Sequence, residues 1–252
     1  MVFGWWRKWR RARLIASPFP EAWHDFLKPL TWYARLHTAD QQRLQNLLRV
    51  FIAEKNWEGC QGFVATDETR VTIAAMACYL LLGIEHDYFS HVLSILIYPA
   101  EFVAPTPRAT ETGIFFHEQV RLGEAHYRGP VVLSWKDVLE NIEYPEDGNV
   151  VWHEFAHQLD MQDRGTDGTP VLGTLAEVER WREVMTTEFN QLRHAISAQQ
   201  ETLLDPYGAT NEAEFFAVCT EAFFCVPRDL RAEHPALYDL LRDYFCQDPA
   251  AR

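Results

Sequence analysis

Apolar residues recur at helical spacing through the first third of the chain. The segment TADQQRLQNLLRVFIAEKNWE (38–58) carries an apolar stripe along one helical face, and Thr38 or Asp40 can cap its start. The stripe consists of Leu44, Leu47, Leu48, Phe51 and Ile52. Together with the preceding EAWHDFLKPL, this pattern predicts helices over residues 20–60. A further helix is predicted over roughly 68–83.

Three apolar runs of strand type follow, separated by Pro, Thr and Gly. They are HVLSILIYP (91–99), GIFFHEQV (113–120) and GPVVLSW (129–135). From Asn149 onward the helical spacing returns. Helices, then a small sheet, then helices is the order of an α+β fold rather than of regular βα alternation. The prediction is therefore an α+β protein, mainly helical with a small sheet.

The apolar helix VVWHEFAHQLD (150–160) contains three residues that can carry chemistry. His153 and His157 are four residues apart, so they project from one helical face. Two imidazoles in this arrangement can bind one Zn²⁺, with Glu154 beside the metal to act on its bound water. The alternative is a pair of hydrogen-bonded core histidines with a glutamate on the helix surface.

Two similar patterns lack a second histidine four residues after the first. His117 and Glu118 begin a related motif, but Arg121 occupies the position of the second ligand. His86 and His91 are five residues apart, which would place them on different faces of a helix. Both sets are predicted to be ordinary histidines.

A catalytic zinc needs a third protein ligand, and the segment DPYGATNEAEFFAVCTEAFF (205–224) can supply it. Pro206 and Gly208 predict a turn, Thr210 or Asn211 a cap, and a helix follows. Acids in its first turn, Glu212 and Glu214, are also favoured there by the helix dipole alone. However, Glu214 shares an apolar face with Ala217, Glu221 and Phe224, and a carboxylate on such a face needs a partner. Zinc is one such partner.

The charge distribution separates the first 13 residues from the rest of the chain. The 252 residues contain 23 basic and 36 acidic side chains, a net charge of −13, which argues against direct nucleic-acid binding. The start MVFGWWRKWRRAR holds five basic residues and no acid, so residues 14–252 carry 18 − 36 = −18. No long apolar stretch follows it, so a secretory signal is not expected. This arm is predicted to be a flexible or docking N-terminus. The alternative is membrane-surface contact through Trp5, Trp6 and Trp9.

Five cysteines, an odd number without a CxxC pair, predict buried thiols in a reducing compartment and hence a cytoplasmic protein. Their spacing also argues against a thiolate-rich structural zinc site. The longest apolar run, 71–83, is too short to span a bilayer. The expected division is an N-terminal arm (1–17), a helical region (18–95) and a catalytic region (96–252), with 18–252 forming one compact unit.

The two core motifs carry a family resemblance. HEFAHQLD (153–160) and YGATNEAEFFA (207–217) resemble the catalytic core of the anthrax lethal factor protease, a zinc peptidase with two histidine ligands and one glutamate ligand. Over nearly its full length the chain resembles the Mlc titration factor A family of bacterial cytosolic proteins. Shorter stretches such as LIYPAEFV (96–103) and GPVVLSWKDV (129–138) support this resemblance.

The resemblance implies a zincin-like core that holds one zinc ion per chain. His153, His157 and Glu214 match the ligands, Glu154 matches the general base, and Tyr207 matches the tyrosine that assists at the scissile carbonyl. It also implies a cytosolic partner, Mlc, a repressor of sugar-uptake genes that is titrated away from DNA. The expected function is a zinc peptidase, taken as an aminopeptidase, with this regulatory role. The alternative is mainly a repressor-binding protein with weak peptidase activity.

This sequence departs from the lethal factor pattern at Val218, where that protease has an acid. Glu221 is the candidate to replace it by hydrogen-bonding a ligating histidine, and Asp160 is a weaker candidate for the same role. The alternative is that Glu221 is a plain surface acid. A substrate peptide is expected to pair with an edge strand such as GPVVLSW (129–135).

Overall fold

A computed structural model describes residues 2–100, 102–110, 113–121, 123–125, 129–163 and 165–252. The helices are α1 (Val2–Ala16), α2 (Glu21–Leu27), α3 (Thr31–Ala34), α4 (Thr38–Glu54), α5 (Asp67–Tyr79), α6 (Trp135–Glu143), α7 (Val150–Asp160), α8 (Leu175–Ser197), α9 (Glu212–Cys225), α10 (Pro227–Glu233) and α11 (Pro235–Phe245). The strands are β1 (Asn56–Gly59), β2 (Ser94–Tyr98), β3 (Phe102–Thr110), β4 (Gly113–Arg121), β5 (Gly123–Ala125) and β6 (Val131–Ser134). The predicted α+β fold, mainly helical with a small sheet, is confirmed.

The sheet has the strand order β1-β2-β6-β5, in which β1, β2 and β6 are parallel and β5 runs antiparallel to β6. β3 and β4 form a separate antiparallel ribbon. All four residues of β6 are buried, as expected for a strand covered on both faces. The prediction that 129–135 forms an edge strand is therefore wrong, because β5 covers that side of β6. The edge strands of this four-stranded sheet are β1 and β5.

The predicted helix over 38–58 is shorter in the structure and begins differently. It starts after His37, whose side chain makes no capping bond, so neither Thr38 nor Asp40 is its cap. At its other end Lys55 is extended, and its buried ammonium donates hydrogen bonds to the carbonyls of Phe89, at 2.5 Å, and Val92, at 2.9 Å. The chain then pairs with β2 as β1. After Glu54 the chain therefore forms a strand paired with β2, although the sequence pattern there is helical.

The core lies where α5, α7 and α9 pack together. Every residue of α5 from Val71 to Tyr79 is buried, and α7 buries all but one of its residues. Phe155 of α7 contacts the rings of Phe51 and Phe89, with centroids 5.7 and 4.9 Å apart. The opposite end of the core is formed by α9, whose Phe224 meets Trp152 of α7. This packing fixes α7 and α9 against each other.

The cysteines are free thiols, but they are not all buried. Cys78 and Cys219 are buried, Cys60 and Cys225 are half-buried, and Cys246 is exposed. Cys246 follows the last residue of α11 in the left-handed conformation, at φ 49°. In the described part of the chain, no helix is both long and apolar enough to cross a membrane.

A His–Glu pair ties α8 to the start of α11. His234 Nδ1 lies 2.7 Å from Oε2 of buried Glu188, and this hydrogen bond raises the pKa of His234 despite partial burial. The folded state favours protonated His234. The pair therefore contributes its full stabilisation of the fold at pH values below the ordinary histidine pKa of about 6.5. That stabilisation is lost as the pH rises through the higher folded-state pKa.

We therefore expect His234→Gln to lower the free energy of unfolding by about 1 kcal/mol near pH 6, a value reduced for partial exposure, and by clearly less at pH 9. Urea unfolding at both pH values measures this difference. His37→Gln, at an exposed histidine without a capping bond, is the control and should show no such pH dependence. An equal loss for His234→Gln at both pH values would contradict the assignment.

Candidate metal centre

The two histidines of the motif project from the middle of a firmly anchored helix. Asn149 caps α7, because its side-chain oxygen accepts a hydrogen bond of 3.0 Å from the backbone N–H of Trp152. The apolar residues of α7 enter the core, and the face that carries His153 and His157 turns toward α9. The two imidazole Nε2 atoms are 3.3 Å apart.

The third predicted ligand comes from the first turn of α9. A short 3₁₀ turn over Pro206–Ala209 leads into this helix. Asn211 caps α9 by accepting a hydrogen bond of 3.0 Å from the backbone N–H of Glu214. The cap fixes the Glu214 backbone, and the apolar residues that follow it pack into the core. The carboxylate is thereby held over α7.

The structure brings these three side chains together. Glu214 Oε2 lies 3.0 Å from His153 Nε2 and 3.3 Å from His157 Nε2. An ion that binds nitrogen and oxygen donors tetrahedrally at about 2.0–2.1 Å would hold them about 3.3 Å apart, so the donor set fits a metal ion. Among the described residues, this is the one group of three or more His, Cys, Asp or Glu side chains whose donor atoms are close enough to bind an ion together.

Glu221 orients the first histidine from the opposite side. His153 Nδ1 lies 2.7 Å from Glu221 Oε1, and Glu221 Oε2 accepts a 2.6 Å hydrogen bond from the backbone N–H of Asn149. Glu221 is therefore not a plain surface acid, since it joins α9 to both the cap and the histidine of α7. A carboxylate on Nδ1 leaves Nε2 as the nitrogen that faces Glu214. Val218, at the position that is acidic in the lethal factor pattern, is buried in the core.

Gly148 makes room for this contact, which the sequence reasoning did not anticipate. Its φ is +123°, and a Cβ at this position would come within 2.9 Å of Glu221 Oε2. Any side chain would therefore be strained there and would crowd the carboxylate. The Gly-Asn pair just before the helix was the signal in the sequence for a special backbone at this point.

The protonation of His153 and the ionisation of Glu214 depend on each other. Burial opposes protonation of His153, but its hydrogen bonds to Glu214 and Glu221 outweigh burial and raise its pKa well above the ordinary value. Burial likewise opposes ionisation of Glu214, yet the hydrogen bonds from His153 and His157 hold the pKa of this carboxyl well below its usual range. The site therefore favours an anionic carboxylate beside a positive charge, the environment that a metal cation also provides.

The two residues expected to act on substrate belong to α7 and to the turn before α9. Glu154 follows His153 on α7 and is only 5% exposed. Tyr207 lies in the 3₁₀ turn before α9, with 49% of its surface exposed. Its ring centre is 6.1 Å from that of His153. Glu154 is therefore buried next to the first histidine, and Tyr207 is half-exposed to solvent.

Asp160 does not have the role expected of it. Its carboxylate accepts hydrogen bonds from the backbone N–H groups of Gly168, at 3.1 Å, and Thr169, at 2.9 Å, and not from a ligating histidine. Burial raises the pKa of Asp160, and these two donors oppose that shift. Gly168, at φ +74°, packs directly against the backbone of Glu212. Asp160 thus anchors a loop against the start of α9, two residues before Glu214.

Of the other two histidine patterns, His86 and His91 are not part of the cluster. His86 and His91 are in the loop between α5 and β2 rather than on a helix, and burial lowers the pKa of each. His117 and Glu118 belong to β4, and their side chains fall outside the described residues. The prediction that His117 is an ordinary histidine therefore stays a prediction.

Comparison with known proteins agrees with this geometry. Residues 6–246 match the model of a family described as glucose-regulated metallo-peptidase M90. The chain is 39% identical to an uncharacterised protein of Synechocystis sp. over 248 residues, which are 97% of this chain and 90% of that protein. It is 31% identical to the Mlc titration factor A of Klebsiella pneumoniae, over 87% of this chain and 83% of that protein. For the Mlc titration factor A of Salmonella agona the identity is 30%, with coverages of 97% and 93%. The chain therefore belongs to the glucose-regulated metallo-peptidase M90 family.

Proposed function

We propose that this protein is a zinc-dependent peptidase that holds one zinc ion per chain through His153, His157 and Glu214. The observation that carries the proposal is the mutual spacing of 3.0–3.3 Å between the three donor atoms, with Glu154 one residue from the first ligand. Two histidines, one carboxylate and a position left for water are a usual donor set of catalytic zinc. Structural zinc sites are usually closed and rich in thiolates, and no cysteine belongs to this cluster.

The zinc ion would act as a Lewis acid and would lower the pKa of a water molecule that it binds toward about 7. Glu154 accepts a proton from the attacking water and delivers it to the leaving amine. Tyr207 donates a hydrogen bond to the carbonyl oxygen as negative charge develops there. Glu221 keeps the His153 ring in one orientation while this happens. Each role falls to a side chain that lies at the cluster or contacts it.

The edge of the sheet beside the site offers a place for an extended substrate. β5 is an edge strand, runs antiparallel to β6 and lies against α7. A peptide that pairs with the free edge of β5 would extend along the helix that carries Glu154. This replaces the earlier expectation that 129–135 receives the peptide, because β6 already has neighbours on both sides.

The proposal is tested by hydrolysis of a peptide library after removal and return of metal. Wild type should cleave peptides, lose activity on chelation and regain it with about one equivalent of zinc. Pairs of peptides with free and acetylated N-termini test the narrower proposal of aminopeptidase specificity, which requires cleavage of the free form alone. Absence of cleavage by the fully zinc-loaded protein would contradict peptidase function.

Tyr207→Phe should separate a role in the reaction from a role in packing. The substitution keeps the ring and removes only the hydroxyl donor, so we expect kcat to fall by about 10²-fold with little change in KM, zinc content or thermal stability. Steady-state rates on one cleavable peptide measure this effect. Tyr144→Phe, at another half-exposed tyrosine, is the matched control. A loss below about threefold would assign Tyr207 to packing alone.

A second role, repressor binding, is favoured by the relatives named Mlc titration factor A, at about 30% identity over most of the chain. We propose that the chain binds an Mlc-like repressor in the cytoplasm, where its free thiols would stay reduced, and so affects sugar-uptake genes. Binding of purified repressor to wild type and to Glu154→Gln tests whether the two roles are separate. Retained binding by the variant indicates a surface away from the cluster, whereas equal loss of binding and hydrolysis would place the repressor in the active site.

A further inference from the structure

The basic N-terminal helix is attached to the protein through one face only. Arg11 forms a double hydrogen bond to Glu54 of α4, at 2.8 and 2.6 Å, and a third bond to the carbonyl of Asp87. Its guanidinium also lies over the ring of Tyr88, 4.3 Å from the centre. Half-buried Leu14 and Ile15 also lie on this face, and Arg10 donates a 3.2 Å hydrogen bond to the carbonyl of Ala53. The orientation of α1 on the body is therefore fixed by its second half.

The opposite face of α1 carries three exposed tryptophans. Trp5, Trp6 and Trp9 are 71%, 55% and 46% exposed. Trp5 and Trp9 are one helical turn apart, and Arg11 lies about 200° around the helix from Trp9. The geometry that attaches Arg11 to α4 therefore turns these rings away from the body.

Positive charge surrounds the tryptophans. Lys8, Arg10 and Arg13 are exposed beside the tryptophans, Arg7 is exposed one turn before Arg11, and α1 contains no acidic residue. The guanidinium of Arg13 lies 4.9 Å from the ring centre of Trp9. By contrast, residues 14–252 carry 18 basic and 36 acidic side chains, a net charge of −18. The face combines amphipathic indoles with cations on an otherwise acidic protein.

We propose that this face of α1 binds the surface of an anionic phospholipid bilayer. Indole rings favour the boundary between headgroups and acyl chains, and basic side chains are attracted to anionic lipid. Nucleic acid would satisfy the charges but would give three exposed indoles no apolar environment. The acidic body is repelled by the same surface, so the protein docks with α1 toward the lipid and the body directed away.

Co-sedimentation of the full chain with vesicles tests this proposal. Vesicles of equal parts phosphatidylglycerol and phosphatidylcholine should pellet wild type at low ionic strength, whereas vesicles of phosphatidylcholine alone should bind far less. Trp5→Ser/Trp9→Ser should weaken partitioning by about tenfold or more, and Arg7→Gln/Lys8→Gln/Arg13→Gln should weaken it similarly. High salt should reduce binding of wild type.

Matched controls remove the same chemistry elsewhere on the surface. Arg35→Gln/Arg182→Gln/Arg228→Gln removes three exposed charges outside α1, and Val171→Ser/Leu175→Ser removes two exposed apolar residues. Both controls should pellet like wild type, and circular dichroism should show all variants folded. Failure of wild type to pellet with the anionic vesicles, or equal loss in the controls, would overturn the proposal. So would retention of double-stranded DNA through α1 in the absence of vesicle binding.

Discussion

Glu154→Gln is expected to lower kcat/KM for peptide hydrolysis by about 10³-fold while the protein keeps its zinc and its thermal stability. The amide has nearly the same shape as the carboxylate but cannot accept the proton of the attacking water. Glu154 is buried on α7 beside His153, so the substitution removes the base without disturbing the three proposed ligands. Metal content and rates should be measured on the same preparation.

The control for this variant is an acid outside the cluster. Glu183 is exposed on α8, and Glu183→Gln should change the rate by less than about twofold. Activity of Glu154→Gln near that of wild type would show that another group takes the proton. Loss of zinc from the variant would show that Glu154 holds the metal or its surroundings rather than the proton.

His157→Ala is expected to abolish stable zinc binding. His157 Nε2 lies 3.3 Å from both His153 Nε2 and Glu214 Oε2, so its removal leaves two of three donors and opens one side of the cluster. After dialysis against a weak chelator, zinc should fall below about a tenth of an equivalent, and hydrolysis should fall with it. Elemental analysis of the dialysed protein measures this loss.

His194→Ala is the matched histidine deletion, because His194 is exposed in the last turn of α8. This control should keep one equivalent of zinc and wild-type activity. Full retention of zinc by His157→Ala would remove this histidine from the ligand set, even if activity were lost.

The local patterns of the chain marked the three residues that meet in the cluster as candidates, and the family resemblance assigned them as ligands. Two histidines four residues apart share a helical face wherever the helix lies, and Asn211, the asparagine of NEAE, marks the start of a second helix. The relative placement of α7 and α9 came from the family resemblance and not from periodicity, because no local pattern encodes which faces of two distant helices meet.

Other features depend on contacts between distant segments and were not predictable from local patterns. The bond between Asn149 and Glu221 joins residues 72 positions apart, and the sequence left open whether Glu221 was a surface acid. β5 is only three residues long and has no recognisable alternation, yet it turns β6 from a predicted edge into an interior strand. Asp160 accepts hydrogen bonds from two backbone N–H groups of a loop that begins eight residues farther along the chain.

The most direct test of the central claim is the identity of the zinc ligands, measured by X-ray absorption at the zinc edge together with the metal content of the same sample. We expect about one zinc per chain, bound by nitrogen and oxygen at about 2.0–2.1 Å with the signature of two imidazoles. A sulfur ligand at about 2.3 Å, or a protein that holds no stoichiometric zinc after loading, would contradict it.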